Sequence, residues 1–243
     1  MDPARAGVAL VIGAGENLGG AIARRFARAG NHVVATRRRG DLSRLQEAIV
    51  VEGGACTAIH MDARQESEVV DLFDRVERDL GPIQVMVFNV GGNVRFPLME
   101  TTSRVYRKSW EMCAYAGFLV VREAAIRMTA RGEGSILLTG ATASIRGGAG
   151  FVAFSGGKHA LRALAQSAAR ELGPKGIHVA HVVIDGPIDS ESTRHLFPEL
   201  FTERPPEGIL KPDDIAEIYW QLHCQPRSAW SFETDVRTHL EPW

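Results

Sequence analysis

The chain is short of the residues that would support most special architectures. Cysteine occurs three times in 243 residues, as Cys56, Cys113 and Cys224. The three are scattered, odd in number and without metal-ligand spacing. That excludes a disulfide framework or a zinc ribbon and reads as reduced thiols in a cytoplasmic protein. His159 and His181 have no partner in sequence that suggests a metal, so none is expected. Long apolar runs are missing too: Val8–Ile12 and Val85–Phe88 fall far below the ~20 residues of a membrane span. The opening Met1-Asp2-Pro3-Ala4-Arg5 is not read as a signal peptide, because a strand pattern follows almost at once. Neither sign of charge dominates, since the net charge is −1, so no general attraction to nucleic acid or anionic membrane is expected. Tyrosine is scarce, with only Tyr106, Tyr115 and Tyr219.

What is present is alternation. Apolar runs at Val8–Ile12, His32–Thr36, Ala55–Met61, Ile83–Phe88, Ser135–Leu138 and Ile177–Ile184 read as strands. Between them lie helical patterns. Leu18, Ile22, Phe26 and Ala29 share one face, as do Val69, Leu72, Phe73, Val76 and Leu80. Leu42–Val51 and a long stretch from Ser103 to Ala130 are helical in pattern, as is the run from Ala160 to Leu172. Repeated strand–helix–strand units without polar alternation in the strands predict an α/β chain. The expected architecture is a single doubly wound Rossmann-type parallel sheet with helices on both faces, spanning residues 1–243. The segment 187–212 holds five prolines among charged residues, with one short helix expected near Glu191–Phe201. A long excursion of this kind is expected to act as a lid. The tail from Trp230 to Trp243 carries a short strand pattern and is expected to pack against a neighbouring subunit.

Ile12-Gly13-Ala14-Gly15-Glu16-Asn17-Leu18-Gly19 follows a strand and opens a helix. Glycines there let the backbone turn sharply and approach a pyrophosphate, and the helix N-terminus offers free amides to its charge. Asn17 tolerates a left-handed backbone, so the loop can form with fewer glycines. The loop resembles the Thr-Gly-x-x-x-Gly-x-Gly of short-chain dehydrogenases/reductases, with Gly13 and Gly19 matching. Asp62 is similar to the family aspartate beside the adenine, with Ala63 next to it. Phe88-Asn89-Val90-Gly91 resembles the family's Asn-Asn-Ala-Gly. The resemblance runs from Val8 to about Ser190. It implies a nicotinamide cofactor held by Gly13, Gly15, Asn17, Leu18, Gly19, Asp62, Ala63, Asn89, Val90 and Gly91. Past the sixth strand it adds Gly186, Ile188 and Ser190, with Asp185 where a proline is usual. An acid ending the second strand would hold the ribose of NAD, whereas arginine suits the 2′-phosphate of NADP. The chain has Arg37 and Arg38 there, so NADP is expected over NAD.

The same resemblance implies an Asn–Ser–Tyr–Lys catalytic set, and here the chain departs. Lys158 is present, but Phe154 holds the tyrosine position four residues earlier. Ala141 holds the serine position and Ala114 the asparagine position. Every lost group donates a hydrogen bond and every replacement is apolar. Thr139, Thr142 and Ser144 are hydroxyls that could substitute in part. Phe151 stands where enoyl-thioester reductases of the family place their tyrosine, so that substitute also fails. Asn93, Arg95, Arg146, Asp189, Arg194 and His195 remain as polar candidates at the pocket mouth. A general acid contributes about 10²–10⁴-fold to rate, so ordinary ketone reduction is expected to be poor. The expectation is an NADP-dependent oxidoreductase of altered mechanism, acting on a small organic substrate such as an activated C=C or C=N bond. The alternative is an inactive cofactor-binding subunit that partners an active homologue. The family also implies a homodimer or homotetramer.

Overall fold

The computed structural model describes residues 7–241, so Met1–Arg5 and Trp243 lie outside it. Seven strands form one sheet in the order β3-β2-β1-β4-β5-β6-β7. They are β1 (Val8–Ile12), β2 (His32–Arg37), β3 (Ala55–His60), β4 (Ile83–Phe88), β5 (Gly134–Thr139), β6 (Ile177–Ile184) and β7 (Glu233–Val236). Every neighbouring pair is parallel. The order reverses between β1 and β4, where doubly wound sheets bind ligands beyond the carboxyl ends of their strands.

Alternation along the strands assigns the two faces. Val8, Leu10 and Ile12 of β1 pack with α3 (Glu66–Asp79), α5 (Ala116–Arg131) and α6 (Val152–Leu172). Ala9 and Val11 pack with α1 (Leu18–Arg28), α2 (Ser43–Val51) and α9 (Pro212–His223). Both faces are covered, which is why β1 and β6 are buried along their whole length. Among the described residues no helix is long and apolar enough to cross a membrane.

Four elements differ from the sequence expectations. The helix expected from Ser103 to Ala130 is α4 (Ser103–Trp110), a π-helical turn at Glu111–Tyr115, then α5. The wide turn carries Cys113 and Ala114, and such turns often sit at functional sites. The excursion holds two helices rather than one, α7 (Glu191–Leu196) and α8 (Glu199–Glu203), because Phe197-Pro198 breaks the run. The tail's strand narrows to β7, which pairs with β6 of the same chain, and Trp230 stacks on His178 at 4.9 Å. Helix α9, which no expectation covered, packs on α1 with Ile215, Ala216, Tyr219 and Leu222 buried.

Candidate active site

The turn from β1 into α1 is built by two glycines. Gly13 has φ +90°, and a Cβ there would stand 2.8 Å from the Asn89 carbonyl oxygen. At Gly19 a Cβ would lie 2.2 Å from the Gly13 carbonyl oxygen. Asn89 Nδ2 donates to that same oxygen at 3.1 Å, tying the end of β4 to the loop. Asn17 has φ −90° and caps α1 without a side-chain bond, so its tolerance of left-handed backbone is not called upon. Beside Gly15 the space is open for 4 Å, which leaves room above the helix N-terminus for a phosphate. These residues therefore fit a dinucleotide.

A cleft runs from this loop in both directions. Toward β2 and β3 it is lined by Arg37, Arg38, Arg39, Asp62, Ala63 and Arg64. Arg37 donates to the Asp41 carbonyl at 3.2 Å and lies against Gly40, so it is folded back on its own turn. Arg38 and Arg39 remain more open, with Arg38 4.0 Å from Asp62. Arg64, absent from the sequence expectations, grips Asp62 through Nε at 2.9 Å and Nη2 at 2.6 Å. That bond holds the Asp62 carboxyl below the usual carboxylate range. The signal for Arg64 was its place two residues past Asp62, where one side chain can reach the other.

In the other direction the cleft opens into a cavity of about 870 Å³. Asn17, Leu18, Asn89, Gly91 and Lys158 line it, as do Gly186, Ile188 and Ser190. Lys158 is buried, with Nζ donating to the carbonyl oxygens of Thr139 at 2.8 Å and Val90 at 3.3 Å. Burial lowers its pKa. The Phe154 ring centroid is 5.8 Å from Nζ. Phe154 packs with Cys113, Ala143 and Ala141 into a small apolar cluster. Ala114 is buried on the adjoining π turn but lines neither half of the cleft. The substitute hydroxyls are committed elsewhere. Thr139 bonds Tyr219 Oη at 2.7 Å, Thr142 donates to Asp185, and Ser144 Oγ accepts from the Ala141 amide at 3.1 Å. Of the tyrosines, Tyr219 is buried behind β5 and Tyr115 stacks on Trp110, so neither offers its hydroxyl to the cavity.

Among the mouth residues, Asn93 and Arg146 line the cavity. Asp189 and Arg194 pair with each other on the surface at 2.8 Å. Arg95 lies against the Phe151 ring, and His195 is exposed. Neither Arg95 nor His195 lines the cleft. The excursion closes one wall with Pro187, Thr193, Phe197 and Leu200. A bridge from Ile188 to Leu210 joins its ends. Among the described residues no group of three metal-ligating side chains occurs.

Residues 7–200 match the family model described as short chain dehydrogenase. A short-chain dehydrogenase from Rhodopseudomonas palustris superposes with a TM-score of 0.82 at 46% identity, covering 97% of this chain and 99% of its own. A metagenomic short-chain oxidoreductase in complex with NADP superposes at 0.82 and 26% identity, over 96% and 97% of the two chains. A 7α-hydroxysteroid dehydrogenase complexed with NADH and a 7-oxo bile acid gives 0.88 and 26%, over 96% and 93%.

Proposed function

The chain belongs to the short-chain dehydrogenase/reductase family of NAD(P)-binding oxidoreductases, and on that premise we propose that it is an NADP(H)-dependent oxidoreductase working without a tyrosine acid. The observation that carries the reading is the apolar cluster of Phe154, Ala141, Ala143 and Cys113 set against buried Lys158. The cofactor, when bound, supplies a hydride to an electron-poor carbon. Gly13, Gly15 and Gly19 leave room for its pyrophosphate, and Lys158 offers its remaining N–H to the ribose. Phe154 and Ala141 wall the reaction end, a phenyl ring stands where the family has its phenol, and the Thr139 and Thr142 hydroxyls are bonded to Tyr219 and Asp185. The substrate must therefore bring its own polarisation, as an activated C=C or C=N bond does. NADP is favoured over NAD because Arg38 and Arg39 line the adenosine end and no acid ends β2. A relative with NADP supports this choice, and one with NADH marks the competing form.

Three further readings go with it. Segment 187–212 serves as a lid, since it already walls the cavity. Copies pair through the long helix, whose Phe118 and Ile126 are exposed apolar side chains. The protein works in the cytoplasm. The test is fluorescence titration with NADPH followed by absorbance assays against enones, imines and ketones. Binding with turnover of enones or imines is expected. Absence of both overturns the reading, and binding without any turnover replaces it with an inactive cofactor-binding subunit.

A further inference from the structure

The cavity holds one buried carboxylate that neither the cofactor nor the altered catalytic set explains. Asp185 is 1% exposed and stands at the end of β6. Its Oδ1 accepts from the Thr142 hydroxyl and from Arg146 Nη2 at 3.4 Å, and its Oδ2 lies 3.0 Å from Arg237 Nη2. An ionised carboxylate out of water costs several kcal/mol unless it is met by donors. Three groups meet this one. The two guanidiniums differ in what they have left to offer. Arg237 is enclosed, with 11% of its side chain exposed, and is shared with Asp235 at 2.5 Å. Arg146 is half exposed, touches Asp185 through one nitrogen, and lines the cavity. Arg204, another cation on the wall, is held by Glu241.

The cavity that Arg146 lines also carries Phe151, Phe154, Ile184, Ile188, Phe197 and Leu200, beside polar Asn93, Ser155 and Thr193. The charged lining comprises Arg146, Lys158 and Arg204 against Asp185 and Glu241, leaving an excess of one positive charge. A planar fork fixed at one nitrogen and open at its other edge matches a carboxylate better than any neutral group.

We propose that Arg146, held in place by Asp185, binds the carboxylate of an amphiphilic organic acid whose apolar body lies along Phe154 and Ile188. The proposal rests on the reading of this cavity as the substrate side of the cofactor cleft, and it adds a carboxylate to the substrate. Asp185 is the positioning residue and Arg146 the one that touches the ligand.

The test compares 4-phenylbutyrate with its neutral amide by calorimetry, on the protein with and without NADPH. Wild type is expected to bind the carboxylate at least about tenfold tighter than the amide, the range of a charge-assisted hydrogen bond. Arg146→Gln brings the ratio near one, Arg146→Lys keeps part of it, and Arg204→Gln leaves it unchanged. Equal binding of the two probes by wild type, binding of neither, or a ratio that survives Arg146→Gln overturns the proposal. NADPH affinity is titrated separately. A failure of the cofactor reading would appear there, while the carboxylate ratio stays readable on the chain alone.

Discussion

Lys158 spends two of its three N–H groups on the carbonyl oxygens of Thr139 and Val90, and its neighbour across the helix turn is a phenyl ring. In the family it resembles, that neighbour would be a phenol whose proton the lysine helps to release. Restoring all three lost groups by Ala114→Asn, Ala141→Ser and Phe154→Tyr is therefore expected to raise ketone reduction about 10²-fold or more. The readout is NADPH consumption with a simple ketone. No gain with folding and NADPH binding intact would mean that the cavity has diverged beyond these positions. The absences at 141 and 154 were legible in the sequence, because the register from Lys158 fixes them. The engagement of Thr139 and Thr142 was not, because their partners Tyr219 and Asp185 lie far along the chain.

His181 shows a second effect at this scale. Its ring is fully buried, and burial pushes its pKa down to about 4 against the opposing pull of Glu233 at 3.0 Å. A folded-state pKa below the unfolded value near 6.5 means that the unfolded chain takes up the proton first. Stability is then full above about 6.5 and falls as the pH drops toward 4. The loss is about 1.4 kcal/mol for each pH step between those two values, or about 3 kcal/mol in all. Urea unfolding at pH 7 and pH 4.5 should show this loss in wild type and a smaller one in His181→Gln. Equal losses would remove His181 from the explanation.

At the scale of elements, the β1–α1 turn separates folding from binding. At Gly19 a methyl group meets backbone at 2.2 Å, whereas at Gly15 it meets nothing within 4 Å. Gly19→Ala is expected to lower the melting temperature and to abolish cofactor binding. Gly15→Ala should fold normally and still weaken NADPH binding about tenfold or more, because the methyl group enters the space left for the phosphates. Melting curves and fluorescence titrations on both variants check this, and normal NADPH affinity in Gly15→Ala would place the phosphates elsewhere. The parallel sheet around this turn was legible because the strands are buried runs separated by helical periods. Helix α9 was not, although Ile215, Tyr219 and Leu222 recur at helical spacing. The prolines before it draw the pattern toward a loop. The tail is legible as a strand from its own residues. Its partner is not, since pairing with β6 spans about fifty residues and leaves no local trace.

At the scale of the whole molecule, one cleft carries two kinds of wall. Its loop end is glycine and backbone, and its reaction end is phenylalanine and alanine beside a charged pair, Asp185 and Arg146. The order of motifs along the chain made the first wall visible in advance. In the second, Phe154 and Ala141 were legible too, but the Asp185–Arg146 pair needed the ends of β5 and β6 brought together in space. The central claim is that hydride delivery survives where proton delivery does not. The most direct measurement is a single-turnover comparison of NADPH oxidation with an N-alkyl cyclic iminium ion and with the cyclic ketone of the same shape. Reduction of the iminium needs no proton, so it should run about 10²-fold or more faster than the ketone. A ketone reduced as fast as the iminium would show that the cavity supplies a proton after all, and would contradict the account.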